Sequence, residues 1–459
     1  MPEFRSKSRL MAPVESVFAW HERPGAFERL VPPWVDVRIL SRSGGVKDGG
    51  QLSFKLRQGP ISVRWHAVHE GYQENRQFRD VQRKGPFASW EHTHRFEPDG
   101  ETASYLEDLV YWQLPLGRLG RFGESLVARE IERGFTFRQE RTRQDLARHR
   151  GVVDRGPLRI LMSGASGLIG TQLAAFLEGG GHTIARLVRR APRSPLEIRW
   201  DPDSGALDPA ACEGFDAVIH LAGAGIADER WSPKRKQLIL ESRTRGTRLL
   251  AERLSLCARK PRCLLVASGI GYYGHRPEEP LTESSEPGTG YLPEVCLAWE
   301  DASKPAEAAG IRVARIRIGI VLAAAGGALS KLAPIFSAGL GGPVGSGQQV
   351  LSWIAFDDLI GIFHHALFHD ELSGAINATA PNPVTNEDFS GTLAEVLGRA
   401  SWARVPEQAI DFGFGEMGRR LLLEGARVLP AKLEQSGFPF LWPELEGALR
   451  FELGRPEEE

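Results

Sequence analysis

Leu158-Arg-Ile-Leu-Met-Ser-Gly-Ala-Ser-Gly-Leu-Ile-Gly170 is the stretch on which the reading of this chain turns. Five mostly apolar residues, Leu158 to Met162, read as a short buried strand. Glycines at 164, 167 and 170 space the turn that follows, and Thr171 to Leu177 is a good helix former. Glycine here lets the backbone approach a diphosphate closely while the chain turns from strand to helix. The helix N-terminus then offers unpaired N–H groups and the positive end of its dipole. A second strand from Thr183 to Val188 supplies the context that separates a dinucleotide fingerprint from an ordinary glycine-rich turn.

That second strand ends at Arg189-Arg190. A site built for NAD usually places an acid there, on the ribose 2′-hydroxyl. Two guanidiniums suit a 2′-phosphate instead, so NADP(H) is the expected cofactor. Downstream, Asp216 to Gly223 reads as a buried strand ending in small residues. Further strands follow at Cys263 to Ser268 and Ile311 to Ile318, separated by helices at Ser232 to Leu256 and from about Pro293 to Ala309. Strands alternating with helices imply a doubly wound, mostly parallel α/β sheet.

Composition narrows the remaining classes. At 459 residues, two or three domains are expected. A hydrophobic fraction of 42% and a charged fraction of 25% are ordinary globular values. The formal net charge of −1 gives no reason to invoke nucleic acid or an anionic membrane. Residues 1–150 carry 25 Lys+Arg against 20 Asp+Glu and the remainder 32 against 38, too mild an asymmetry to name a partner. The four cysteines, at 212, 257, 263 and 296, form no Cys-x-x-Cys pair, and no His/Cys cluster has zinc-ligand spacing, so no metal site is expected. The polar N-terminus lacks the apolar core of a signal peptide, and no run is long enough to span a membrane. A cytoplasmic protein acting on a small molecule is the expectation, with monomer and homodimer both open.

Ahead of the fingerprint, residues 1–150 read as strand, helix, several strands and a long helix. Phe4 to Leu10 alternates, and Ala12 to Phe18 is a helix entered through Pro13. Period-2 segments follow at Gln51–Leu56, Ile61–Trp65, His66–Tyr72, Trp90–Phe96 and Ala103–Tyr111. Leu126 to Leu146 has helical spacing, with seven arginines from Arg129 to Arg150 read as a solvated face. His66, His69, His92 and His94 sit on these strands and are read as structural histidines. Ala12-Pro13-x-Glu15-x-Val17-Phe18, Gly85-Pro86-Phe87 and His92-Thr93-His94-Arg95-Phe96 resemble the SRPBCC superfamily, the START or Bet v 1-like α+β helix-grip fold, in its cyclase/dehydrase-like branch. The resemblance implies a curved sheet around a long helix. Either a hydrophobic ligand occupies a cavity between them, or the core is filled and only docks on the next domain.

From about residue 158 to 449 the chain resembles the extended short-chain dehydrogenase/reductase family, in its nucleoside-diphosphate-sugar epimerase-like (NAD-dependent epimerase/dehydratase) branch. The matching phrases are Arg199-Trp200-Asp201-Pro202, His220-Leu221-Ala222-Gly223, Ser242-Arg243-x-x-Gly246-Thr247, Gly271-Tyr272-Tyr273-Gly274, Ser352-Trp353-Ile354-x-x-Asp357-Asp358 and Asn377-Ala378-Thr379-Ala380-Pro381. The resemblance implies a Rossmann domain over 157–400 and a short helical C-terminal domain over 401–449 that completes the substrate side. It also implies cofactor contacts from Gly164, Ala165, Ser166, Gly167, Leu168, Ile169 and Gly170, with Arg189, Arg190, Leu221, Ala222, Gly223 and Arg243.

In this family a tyrosine and a lysine four residues later carry the proton work, the lysine lowering the phenol's pKa. That pair is missing. Tyr291 plus four is Val295, and the next lysine is Lys304. Ser268 and Tyr273 are the remaining catalytic candidates, with Tyr272, Ser352 and Trp353 as substrate contacts. Cys296 reads as a buried thiol, and Asp357-Asp358 either close a pocket or complement a helix N-terminus. Three functions stay open: an NADP(H)-dependent oxidoreductase or epimerase-like enzyme, an NADPH-binding sensor or scaffold without turnover, and a carrier of a hydrophobic ligand.

Overall fold

The computed structural model describes residues 1–58, 61–115 and 123–456. It divides into two compact units, one built on Met1–Pro157 with Ala175–Gly181, the other on Leu158–Ala174 and the chain from His182 onward. Among the described residues no helix is long and apolar enough to cross a membrane.

Among its described residues the first unit is built on one antiparallel sheet, with helices packed against it. Its strands are β1 (Glu3–Leu10), β2 (Asp36–Ser43), β3 (Gln51–Gln58), β4 (Ile61–Gln73), β5 (Gln77–Lys84), β6 (Ser89–Asp99) and β7 (Ala103–Gln113). Spatial order is β1-β7-β6-β5-β4-β3-β2, a meander whose last strand pairs with the first. The two segments expected at 61–65 and 66–72 are one continuous strand, β4, because no turn residue interrupts them. Helix α1 (Val14–Glu22) starts behind Pro13 with Glu15 in its first turn, where an acid complements the dipole. Helix α2 (Ala26–Leu30) is tied to the long α3 (Glu124–Arg150) by the buried pair Arg29–Asp145, 2.7 Å apart.

Leu10, Val17, Phe18, Phe78, Phe96, Leu106 and Leu146 form one core cluster, and Val110, Trp112, Ile131 and Phe135 a second. They leave between sheet and helices a cavity of about 1420 Å³, lined by aromatic residues that include Phe27, Phe54, Trp65, Phe87 and Trp90. The core is therefore not filled. The arginines of α3 need a correction too. Arg141 is buried with its guanidinium 4.4 Å from the Phe137 ring centre, and Arg138 lines the cavity, so the face is only partly solvated.

The second unit is the expected α/β fold. Its strands include β8 (Arg159–Ser163), β9 (Thr183–Val188), β10 (Glu197–Arg199), β11 (Ala217–His220), β12 (Cys263–Gly269), β13 (Arg276–Leu281) and β14 (Arg312–Ile318). The main sheet runs β10-β9-β8-β11-β12-β14 and ends on Gly374–Ala378, every pairing parallel. Strand order reverses between β8 and β11, the place where open α/β sheets bind ligands. Leu161, Val218, Leu250, Leu254, Leu264, Val266 and Val313 pack one face.

Residues 401–449 belong to this same unit. Ala426–Val428 pairs parallel with β13, and Leu445 and Leu449 share a core cluster with Trp353, Phe389 and Leu393.

Candidate cofactor and active site

At the strand-order reversal, β8 leaves the sheet at Ser163 and helix α4 (Leu168–Gly179) begins five residues later. Gly164 has φ +71°, and a Cβ on it would lie 2.8 Å from the Ala222 nitrogen and the Leu221 carbonyl carbon. Only glycine fits where the turn crosses so closely over the end of β11. A Cβ on Gly170 would lie 2.1 Å from the Gly164 oxygen, so the turn also lies flat on the first turn of its own helix. Gly167 is exposed and its N–H donates to the Gly164 oxygen at 3.0 Å. Ser166 and Gly167 are open to solvent, with Ala165, Leu168 and Ile169 half-buried around them. This is a shallow backbone cradle over a helix N-terminus.

The floor of the cradle is the end of β11. His220 is fully buried, its Nδ1 2.6 Å from Ser163 Oγ, and burial pushes its pKa down to about 4. Neutral His220 thus pins strand to strand below the turn. Leu221 and Ala222 are half-buried and Gly223 is exposed. Arg243, on helix α5 (Pro233–Ser255), donates to the carbonyls of Ala224 and Ile239 and lies over the Trp299 ring, and burial lowers its pKa. It holds the 221–225 loop in place.

At the tip of β9 the two arginines differ. Arg190 is committed to Glu197 of β10, with Nη1 2.7 Å from Oε2, and Arg190 together with the Arg193 backbone N–H draws the Glu197 carboxyl down to about 2. Arg189 is exposed and has no ion-pair partner among the described residues. Of the two guanidiniums expected at the 2′-phosphate, one already balances a carboxylate and the other does not.

On the opposite side, the ends of β12 and β14 carry a closed network. Ser268 is buried and donates to Glu300 Oε1 at 2.8 Å. Arg317 meets both oxygens of Glu300, at 2.8 and 2.9 Å, and donates to the Tyr273 hydroxyl at 2.9 Å. The Tyr273 hydroxyl lies 2.7 Å from Asn377 Oδ1, to which it donates, and burial raises its pKa even against Arg317. Tyr273 is 0% exposed, enclosed by these partners. Ser268 is likewise bonded to Glu300, so both catalytic candidates sit inside one closed network. Tyr272 differs: it is half-buried, with the Arg317 guanidinium 3.4 Å from its ring centre.

Helix α6 (Tyr291–Asp301) carries no tyrosine–lysine pair. Its Cys296 and Glu300 stand four apart instead. Burial pushes the Cys296 thiol up to about 12, with Glu300 adding to it, so this sulfur is inert at neutral pH.

Comparison with known proteins agrees with this architecture. Residues 160–378 match the NAD dependent epimerase/dehydratase family, residues 10–136 the polyketide cyclase / dehydrase and lipid transport family, and residues 405–452 a domain of unknown function. An epimerase family protein of Mycobacterium bovis is 39% identical over 297 residues, covering 65% of this chain and 98% of that protein. This chain belongs to the epimerase family. A nucleoside-diphosphate sugar epimerase from Corynebacterium glutamicum superposes with a TM-score of 0.82 at 33% identity, covering 98% of this chain and 90% of that one. Human epimerase family protein SDR39U1 (isoform 2), solved with NADPH, gives a TM-score of 0.59 at 31% identity, over 64% of this chain and 98% of its own.

The remaining substrate candidates also turn inward. Ser352 is buried, its hydroxyl donating to the Ala426 carbonyl and accepting from the Val428 N–H. Trp353 is 0% exposed and its indole N–H donates to the Asn382 carbonyl. Asp358 accepts from the N–H groups of Leu441 and Trp442. These residues of the epimerase phrase anchor the C-terminal segment. The residues that sequence reasoning missed are Glu300, Arg317 and Asn377, whose partners lie 17 to 104 positions away. No local pattern announces such pairs.

Proposed function

We propose that this member of the epimerase family is an NADP(H)-dependent oxidoreductase or epimerase-like enzyme. The observation that carries the reading is the Gly164–Gly170 turn, whose close backbone packing only glycine permits at 164 and 170, beside an Arg189 with no ion-pair partner among the described residues. The first turn of α4 would hold the diphosphate, Arg189 the 2′-phosphate, and the 221–223 loop the adenosine side. One relative, human SDR39U1, solved with NADPH, supports that choice of cofactor. Bound there, the cofactor supplies hydride exchange with a carbonyl or alcohol carbon.

The chain's own part is to bind, orient and supply a proton. With Ser268 and Tyr273 enclosed, Tyr272 is the hydroxyl left at the end of β12, and Arg317 fixes its ring. Residues 1–150 would hold an apolar ligand in the cavity described above, residues 157–400 the cofactor, and 401–449 the substrate side. A second reading, NADPH binding without turnover, is favoured by the closed Ser268–Glu300–Arg317–Tyr273 network. Single-turnover assays separate the two. Oxidation of bound NADPH by any member of a broad carbonyl panel, lost in Tyr272→Phe, supports the enzyme. Tight NADPH binding with no oxidation across the panel overturns it in favour of the sensor.

A further inference from the structure

Strands β5, β6 and β7 bring four ionisable side chains to one spot on the wall of the first unit's cavity. Residues two apart on a strand share a face, so His92 and His94 of β6 point the same way. The register sets Asp80 of β5 opposite His92, and Asp108 of β7 opposite His94. His92, His94 and Asp108 are 2%, 8% and 4% exposed. Asp108 Oδ1 lies 3.1 Å from His92 Nε2 and 2.9 Å from His94 Nδ1, and Asp80 Oδ2 lies 3.3 Å from the other ring nitrogen of His92. The ligand atoms of His92, His94 and Asp108 all lie within 4.8 Å of one another.

Hydrogen bonding accounts for one contact of this arrangement, that of His92 Nε2 with Asp108 Oδ1 at 3.1 Å, and not for the rest. His94 Nδ1 and Asp80 Oδ2 are buried and form no aligned hydrogen bond, although each has a partner of opposite character within 3.3 Å. A ring nitrogen acts along its in-plane lone-pair direction, so proximity without alignment leaves the pair directed at something other than each other. Ligands that share an ion are arranged in this way.

We propose that His92, His94 and Asp108 bind a divalent first-row transition metal at the cavity wall. Two imidazoles and one carboxylate are the donor set of zinc and non-haem iron sites. Asp80 would act as a positioning residue through charge, its carboxylate standing 3.3 Å from the far nitrogen of His92, on the side where carboxylates stand behind metal-bound histidines. Two carboxylates balance a doubly charged ion. Three protein ligands leave coordination positions free. His92, His94 and Asp80 line the cavity, so the open side would face an apolar ligand bearing an oxygen donor. None of these residues belongs to the NADP(H) site, and the inference stands or falls independently of it.

The test is a titration of the full chain, stripped with a chelator, with Co(II) alone and then with Zn(II). One equivalent of Co(II) should give ligand-field absorption bands of a nitrogen–oxygen site, which Zn(II) should abolish. His94→Ala and Asp108→Asn should weaken Co(II) binding more than 10-fold, and Asp80→Asn less. Because a buried substitution can unfold the domain, the wild-type unfolding temperature is measured with and without Zn(II), which should raise it. No Co(II) bands and no thermal shift in the wild-type protein would overturn the proposal. So would bands of equal strength in folded His94→Ala. In either case the cluster is a protonated His92 held between two carboxylates.

Discussion

Gly164→Ala tests the turn on which the cofactor site is built. Its backbone sits at φ +71°, where an L-residue costs about 1–2 kcal/mol. The new methyl would lie 2.8 Å from the Ala222 nitrogen and the Leu221 carbonyl carbon, which are backbone and cannot swing aside. Overpacking of this kind adds roughly 1–3 kcal/mol. The expected loss is therefore about 2–5 kcal/mol from the larger unit. Gly167→Ala is the matched control, since its backbone is not left-handed and the nearest atom, the Gly164 oxygen, is 3.3 Å away. Its stability should change by less than about 1 kcal/mol, while NADPH affinity falls because the methyl projects from the exposed cradle. The assay is urea unfolding read by far-UV circular dichroism and tryptophan emission separately, as the two units need not unfold in one step. A Gly164→Ala protein that unfolds at the wild-type urea concentration would refute the argument.

Three further outcomes follow from buried polar groups. Glu300→Gln leaves Arg317 buried without its counter-charge and should cost about 3–5 kcal/mol, part of it recovered when Arg317→Met is added. A neutral Glu300→Gln in the same urea assay would count against the network. Ser352→Ala strips a partner from both the Ala426 carbonyl and the Val428 N–H and should cost about 1–3 kcal/mol, with faster amide exchange at Val428. His220 has its pKa depressed from the ordinary 6.5 to about 4, so between those values the unfolded chain binds a proton that the folded chain does not. Its stabilising contribution is complete above pH 6.5 and lost as pH falls through about 4, amounting to about 3 kcal/mol. A His220→Asn protein should lack that portion of the slope when wild type and variant are unfolded in parallel across the window.

Much of the architecture was readable because it is encoded locally. The glycine turn, the alternation of apolar strands with long helices, and the helix entered at Pro13 each depend on residues within one element and its neighbour. The site was less readable, because its outcome depends on distant partners. Arg189 and Arg190 are adjacent in sequence, yet Glu197 on a three-residue edge strand takes one of them and not the other. Ser268 and Tyr273 follow a strand end as ligand-binding hydroxyls do, but Glu300, Arg317 and Asn377 close around them. The neighbours of the β6 histidines were hidden for the same reason. The carboxylates that face them come from β5 and β7, and strand register is a property of the assembled sheet.

The most direct test of the central claim is titration of the wild-type, Arg189→Ala and Arg190→Ala proteins with NADPH and NADH by nicotinamide fluorescence. The wild type should bind NADPH more tightly than NADH. Arg189→Ala should lose about 10- to 100-fold for NADPH alone, the worth of a charge-assisted hydrogen bond to a phosphate, and Arg190→Ala should lose much less. Folded wild-type protein that binds neither nucleotide would contradict the account.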